Sequence, residues 1–216
     1  MLLLALDSSS SIVSVAMVDF TPRGKKETLL YHHHTAHERT DSSSLFGGLE
    51  KAITLVGKPE LIVVGLGPGS YNGLRVSVAA AQGMASALGI QLQGIPSALA
   101  MESDHTSYWI AGDARGGKYW LASVVDHQFI QEPLLLPPES IEALILTMPL
   151  LPLLASTPLP QLSELNKMTI ATPSAIALAR RSQMTSSRKW ELTPLYLKPA
   201  HITPPSSRFH AEKKIC

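Results

Sequence analysis

The chain has 216 residues, 45% of them hydrophobic and only 16% charged, with a net charge of +1. That length can bury a sizeable core as one larger domain or two small ones, and so few solvating charges favour extensive contact with other protein surface. No clustered basic stripe argues for independent nucleic-acid binding, and a single cysteine, Cys216, excludes an intrachain disulfide framework and a cysteine metal site.

The apolar run 2–6 meets Asp7 at once and is too short for a signal segment, and no apolar stretch reaches the ~18 residues of a membrane span. A reducing, cytoplasmic location without membrane contact is expected. Residues 2–19 read as a strand ending in Asp7, a serine-rich turn and a second strand closing at Asp19, with a third strand at 27–32. His32, His33, His34 and His37 raise the question of a metal, since alternate histidines on a strand or an i, i+4 pair on a helix ligate zinc. No cysteine or regularly spaced acid completes a set, so no metal is assigned. The cluster is read as a solvated strand end leading into a helix over roughly 38–56.

Leu61, Ile62, Val63 and Val64 form the short apolar run of a parallel strand covered on both faces. Residues 65–73 are then a turn. Gly67, Gly69 and Gly73 permit positive φ or close backbone approach, Pro68 stiffens the bend, and Ser70 and Asn72 can cap the next helix. That helix, 74–88, carries Leu74, Val78, Ala81, Ala85 and Leu88 at three- and four-residue spacing, and no charged residue lies between Val76 and Ile90. Two readings stay open: a central core helix, or one with one face on its own sheet and the other on a partner's helix. The glycines do not make a P-loop, because Leu74 and Arg75 follow Gly73, and no acid about twenty residues on supports a dinucleotide fold. Ser70 lacks the Gly-x-Ser-x-Gly elbow and an identifiable His/Asp pair, which favours a cap over a nucleophile.

Residues 108–126 repeat the plan of 2–19: a strand ending in Asp113, a tight turn, a second strand closing at Asp126, then a further strand at 129–136. The Leu- and Pro-rich stretch 133–160 has weak helical periodicity, which predicts a reduced or loosely packed second half, and residues 197–216 read as a disordered tail. Two such units separated by helices are what a duplicated α/β fold gives. The expected architecture is actin-like (sugar-kinase or Hsp70-like), with two small lobes at 1–100 and 101–196, each a β-sheet flanked by helices. In such folds the two turns face each other across a cleft and grip nucleotide phosphates. Asp7 and Asp113 either serve that role or only close hairpins through Asx-type hydrogen bonds.

Asp7 with the serines 8–11 and residues 13–16, the block 67–75 (GPGSYNGLR) with its helix through Gly89, residues 95–99 (IPSAL), 113–115 (DAR) and 194–198 (PLYLK) occur in the order of the TsaB family, also called YeaZ. The chain resembles that family over most of residues 1–125 and again near 194–199. The resemblance implies a non-catalytic, actin-like paralogue of TsaD, the subunit that transfers threonylcarbamoyl from its adenylate to N6 of adenosine 37 in tRNAs reading ANN codons. It also implies a scaffold that pairs with a TsaD-like catalytic subunit, is joined by a TsaE-like ATPase, homodimerises when alone and meets tRNA only through the complex.

By the same resemblance, helices 38–56 and 74–88 make the docking surface, with Leu74, Ser77, Val78, Ala81, Met84, Ala85 and Leu88 at the seam. Val78→Glu or Ala81→Glu is then expected to abolish pairing and leave the monomer folded. Asp7, Gly67, Gly69, Ser70, Gly73, Arg75, Asp113 and Arg115 mark the turns and their nucleotide contacts, with no cofactor beyond weak or partner-dependent ATP or ADP binding. The alternative is an actin-like nucleotide-binding enzyme, an ATPase or glycoprotease-like protein, using Asp7 and Asp113. Two departures stand out. Lys118 lies three residues after Arg115, where the family commonly has an acid, and His37 is followed by ERTDSSSLF, a more polar version of the family's leucine-rich helix start. The metal-binding His-x-x-x-His pair of a TsaD-like catalytic subunit has its spacing here only at His33 and His37, outside a helical context.

Overall fold

The computed structural model describes residues 1–20, 27–36, 42–162, 168–184, 190–195 and 198–199. β1 (Leu2–Asp7), β2 (Ile12–Asp19) and β3 (Thr28–Ala36) form an antiparallel meander. α1 (Ser43–Val56) follows, then β4 (Leu61–Gly65), α2 (Tyr71–Leu88) and β5 (Gln91–Ile95). β4 and β5 run parallel to β1, giving the order β3-β2-β1-β4-β5. β1 up to Leu6 and β4 are apolar because both faces of the sheet are covered. Leu4, Leu6, Ile62 and Val64 meet the layer formed by α1 and α2, whereas Leu3, Ala5 and Val63 face the other way. Within that layer α1 lies over β2 and β3, and α2 over β4, β1 and β5.

α2 starts three residues before the spacing predicts, because Ser70 caps it: its Oγ accepts from Gly73 N at 3.4 Å. It ends at Gly89, whose φ of 65° and left-handed conformation suit only glycine comfortably. The start of the helix expected from residue 38 lies outside the described residues as far as 41, and α1 is in place from Ser43.

β6 (Tyr108–Arg115), β7 (Lys118–Val125) and β8 (Gln128–Leu136) form a second meander. After α3 (Pro138–Ile145), β9 (Leu153–Ala155) and β10 (Thr169–Ile170) continue the sheet in parallel with β6. The order β8-β7-β6-β9-β10 matches β3-β2-β1-β4-β5 strand for strand. The echo between residues 2–19 and 108–126 is therefore a duplication of topology.

The second half is not the loosely packed remnant the Leu- and Pro-rich stretch suggests. Leu136, Ile141, Ile145, Leu153, Leu159 and Leu162 are buried with Trp109 and Leu121 in one core. Pro133 is accommodated within β8, and Pro137 and Pro138 stand at the start of α3, with Pro138 in its first turn, so the prolines here do not interrupt a long helix.

α4 (Ala175–Gln183) corrects the lobe boundary at residue 100. It crosses back to the first sheet and lays Ala175, Ala177, Leu178 and Ala179 on Leu3, Ala5, Ala16, Val18 and Val63. Residues 1–100 cover one face of that sheet with α1 and α2, and α4 covers the other, which would otherwise present an apolar surface to water. Ala175 N donates to Ser14 Oγ at 2.9 Å. Residues 190–195 also return: Trp190, Leu192 and Leu195 pack against the α1–α2 core, and Leu195 N donates to Leu66 O at 2.8 Å. Of the segment 197–216 expected as a tail, Lys198 and Pro199 form β11 (Lys198–Pro199), parallel to β8; the rest lies outside the described residues.

Candidate functional site

Asp7 ends β1 and is fully buried. Its Oδ1 accepts from Ser9 N at 2.8 Å and Ser9 Oγ at 2.7 Å, and its Oδ2 accepts from Ser97 Oγ at 2.5 Å. Ser97 Oγ in turn accepts from Gly67 N at 2.9 Å. Desolvation pushes the Asp7 carboxyl above its ordinary range, against the pull of the hydrogen bonds from Ser97 and Ser9. No ion pair reaches Asp7 among the described residues.

The glycine turn closes on this centre. Ser70 N donates to Ser9 O at 2.6 Å, and Ser8 Oγ donates to Gly73 O at 2.8 Å. A Cβ on Gly69 would run into Ser9 O and one on Gly73 into Ser8 O, so the close approach of the two loops needs glycine at both positions. Asp7, Gly67, Gly69, Ser70 and Gly73 are thus brought together. Arg75 is turned outward along α2 and stacks on Tyr71, 5.3 Å from the ring centre.

Asp113 occupies the equivalent position of the second repeat but not the equivalent environment. It is exposed, and its Oδ1 accepts from Arg115 N at 2.6 Å, closing the β6–β7 turn in which Arg115, Gly116 and Gly117 all have positive φ. No hydrogen bond or ion pair joins the Asp113 turn to the Asp7 centre among the described residues. Ser9, Gly65 and Ser97 belong to the Asp7 centre and escape sequence reasoning. Ser97 lies within the IPSAL block, but nothing local announces that its hydroxyl meets Asp7.

The expected docking seam needs correction. Leu74, Ser77, Val78, Ala81 and Ala85 are buried against the chain's own sheet, and Met84 and Leu88 are half-buried. The outward face of α2 carries Arg75, Ala79, Gln82, Gly83, Ser86 and Ala87. Periodicity locates an apolar stripe but not what covers it, and here the sheet does.

His32, His33 and His34 lie within β3, which runs on to Ala36, so they are not at a strand end. The His33 ring is 3.0 Å from Ser44 Oγ of α1, and the His32 and His34 rings are 5.5 Å apart. Among the described residues no group of three or more His, Cys, Asp or Glu could hold a metal ion, and no helix is long and apolar enough to cross a membrane. His37 lies outside them.

Two sheets that share a five-strand order, the second extended by β11 beside β8, are flanked by helices and define a duplicated actin-like α/β fold. Solved structures share it. YeaZ from Pseudomonas aeruginosa is similar to this chain at 18% identity and a TM-score of 0.66, over 91% of this chain and 99% of that one. A crystal structure described as an uncharacterized protein with similarity to peptidase YeaZ from Pseudomonas aeruginosa is similar at 19% identity and a TM-score of 0.66, with the same coverage. Residues 44–108, from α1 to the first residue of β6, match the family model of TsaD, tRNA N6-adenosine threonylcarbamoyltransferase. By sequence alone no curated protein is significantly similar. The matched segment and the whole-length likeness of fold bear out the resemblance to the TsaB (YeaZ) family.

Proposed function

We propose that this chain is a scaffold subunit in tRNA threonylcarbamoyladenosine synthesis, non-catalytic itself, that pairs with a TsaD-like catalytic subunit through the α1–α2 layer. A TsaE-like ATPase joins the pair, tRNA is met only through the complex, and without its partner the chain self-pairs. The observation that carries this reading is the closure of the Asp7 centre. A carboxylate acting on a nucleotide must face it, whereas both oxygens of Asp7 are engaged by Ser9 and Ser97 behind a glycine turn that contacts the backbone of Ser8 and Ser9. Nucleotide binding is then weak or dependent on the partner. The seam falls on the outward face of α2, around Ala79, Gly83 and Ala87 with Met84 and Leu88 at its edge, beside the exposed Phe46 and Leu55 of α1.

Size-exclusion chromatography with light scattering, on the chain alone and mixed with the TsaD-like protein of the same cytoplasm, tests the proposal. A homodimer that converts to a one-to-one heterodimer supports it. Indifference to that partner, together with ATP binding that is lost in Asp7→Ala, would favour the nucleotide-binding enzyme instead.

A further inference from the structure

β3 is the outer strand of the first sheet, and among the described residues β2 is its only strand partner. One edge of this nine-residue strand therefore presents backbone N–H and C=O groups at alternate positions without a sheet partner among those residues. The outer strands elsewhere are short, with five residues in β5 and two each in β10 and β11. Long edges are normally blunted by lysine, proline or an inward-pointing charge. Residues 28–36 contain no Lys, Arg, Asp, Glu or Pro. The one interruption is a bulge at Leu30; Tyr31, His32, His33, His34, Thr35 and Ala36 then pair residue for residue with β2 and keep a regular edge.

An open edge is completed by another extended backbone, and the side chains beside it select which one. Residues directly opposite in a sheet share a face. His32 lies opposite Ala16 and His34 opposite Ser14, so both stand on the α4 side of the sheet, with their rings 5.5 Å apart. His33 lies opposite Val15 on the other side, where the uncharged Ser44 and Gly48 of α1 face it, its ring 3.0 Å from Ser44 Oγ. His32 and His34 are exposed, as are Leu29 and Leu30. Nearby charges are already engaged: Glu27 pairs with Arg180, Asp19, opposite Thr28, pairs with the N-terminus, and the Glu102 carboxylate acts on His32. Partial burial lowers the pKa of His32, as do His34 and His33, against the pull of Glu102. A carboxylate set beside this cluster would raise it again.

We propose that the β3 edge binds an extended acidic segment of another protein by strand addition, with His32 and His34 taking carboxylates at alternate positions of that segment. An imidazole N–H donates to a carboxylate in either charge state, and protonation adds an ion pair, so binding tightens as pH falls. A second copy of β3 fits less well, because antiparallel self-pairing sets the histidines of the two strands against each other and they repel once protonated. The edge is distinct from the outward face of α2 and from the Asp7 centre, so the proposal does not depend on pairing with a TsaD-like subunit.

The test is fluorescence anisotropy with a labelled peptide of about eight residues alternating valine and glutamate, titrated with the full chain at about pH 6 and about pH 8. Binding is expected, tighter at the lower pH, and a peptide alternating valine and lysine should not bind. Methylating the peptide's backbone nitrogens along its pairing edge should abolish binding, because strand addition draws its affinity from main-chain hydrogen bonds. His32→Gln combined with His34→Gln, both at exposed positions, should weaken binding at the lower pH about threefold to tenfold and flatten the pH dependence. No binding of the glutamate peptide at the lower pH, equal binding of the lysine peptide, or an unchanged double variant overturns the proposal. So does a dimer, read by light scattering, that weakens as pH falls and is dissociated by Leu30→Lys but not by Ala79→Glu, since that result assigns the edge to a second copy.

Discussion

Ser97 Oγ donates to Asp7 Oδ2 at 2.5 Å although the two residues are 90 positions apart. The bond fastens the end of β1 to the segment leaving β5 for the second lobe, and it sits in a centre that excludes water. Burial there raises the Asp7 carboxyl above its ordinary 3.8. The folded chain therefore keeps this proton to higher pH than the unfolded chain does. The stability that follows is fully present below the unfolded pKa and is lost as pH rises through the folded one. Asp7→Asn cannot titrate. Its stability relative to wild type should rise as pH increases above the ordinary carboxylate range in urea unfolding; a flat or falling difference would refute the raised carboxyl.

Gly65 and Gly83 should respond in opposite directions to the same substitution. A Cβ on Gly65 would strike Asp7 Oδ2 and come within 2.6 Å of Ser97 Oγ, while one on Gly83 meets nothing within 4 Å. Gly65→Ala is expected to destabilise by roughly 3 kcal/mol or more, as overpacking of a hydrogen-bonded core does. Gly83→Ala, at an open helix position, is expected to stabilise the lone chain by about 0.5–1 kcal/mol. Thermal or urea melts of the two variants decide it.

Charge substitutions on α2 separate its two faces. Val78→Glu and Ala81→Glu place a carboxylate in the core of the first lobe, costing several kcal/mol on the order of a buried unpaired charge, and the lone chain should lose its cooperative melt. Ala79→Glu points outward and should leave the melt intact. Under the proposed pairing it also abolishes the heterodimer with the TsaD-like subunit, as read by light scattering; full pairing of a folded Ala79→Glu chain moves the seam elsewhere.

Ser123 offers a simpler check on the second lobe. Its Oγ is buried in β7 without a hydrogen-bond partner, and Nε2 of Gln131, its cross-strand neighbour on β8, is unpartnered as well. Removing an unanswered polar atom relieves its desolvation penalty, so Ser123→Ala should be neutral or stabilising by about 1 kcal/mol in thermal melts. A clear loss of stability would mean that the hydroxyl is satisfied by water.

Much of the architecture is legible in local pattern. The apolar run at residues 61–64 is β4, Ser70 is the cap of α2, and the matching Asp7 and Asp113 units are the two meanders. In each case neighbouring residues decide the outcome: a continuous apolar run suits a strand covered twice, and a serine hydroxyl satisfies an orphan N–H of the next turn. The prolines of the second half mislead because spacing shows where helices cannot continue, but not how short elements between them pack.

What the sequence alone determined is therefore the inventory of elements and their duplication, since propensity, periodicity and turn chemistry act over a few residues. Which face of α2 is free, which of two equivalent aspartates is sealed, and which helix covers the back of the first sheet were decided only in three dimensions. Asp7 owes its environment to Ser97, and the back of the first sheet owes its cover to α4, anchored to Ser14 from 161 positions away. Burial is a property of the neighbours a side chain finds, and those neighbours are set by packing between distant segments, which no local window contains.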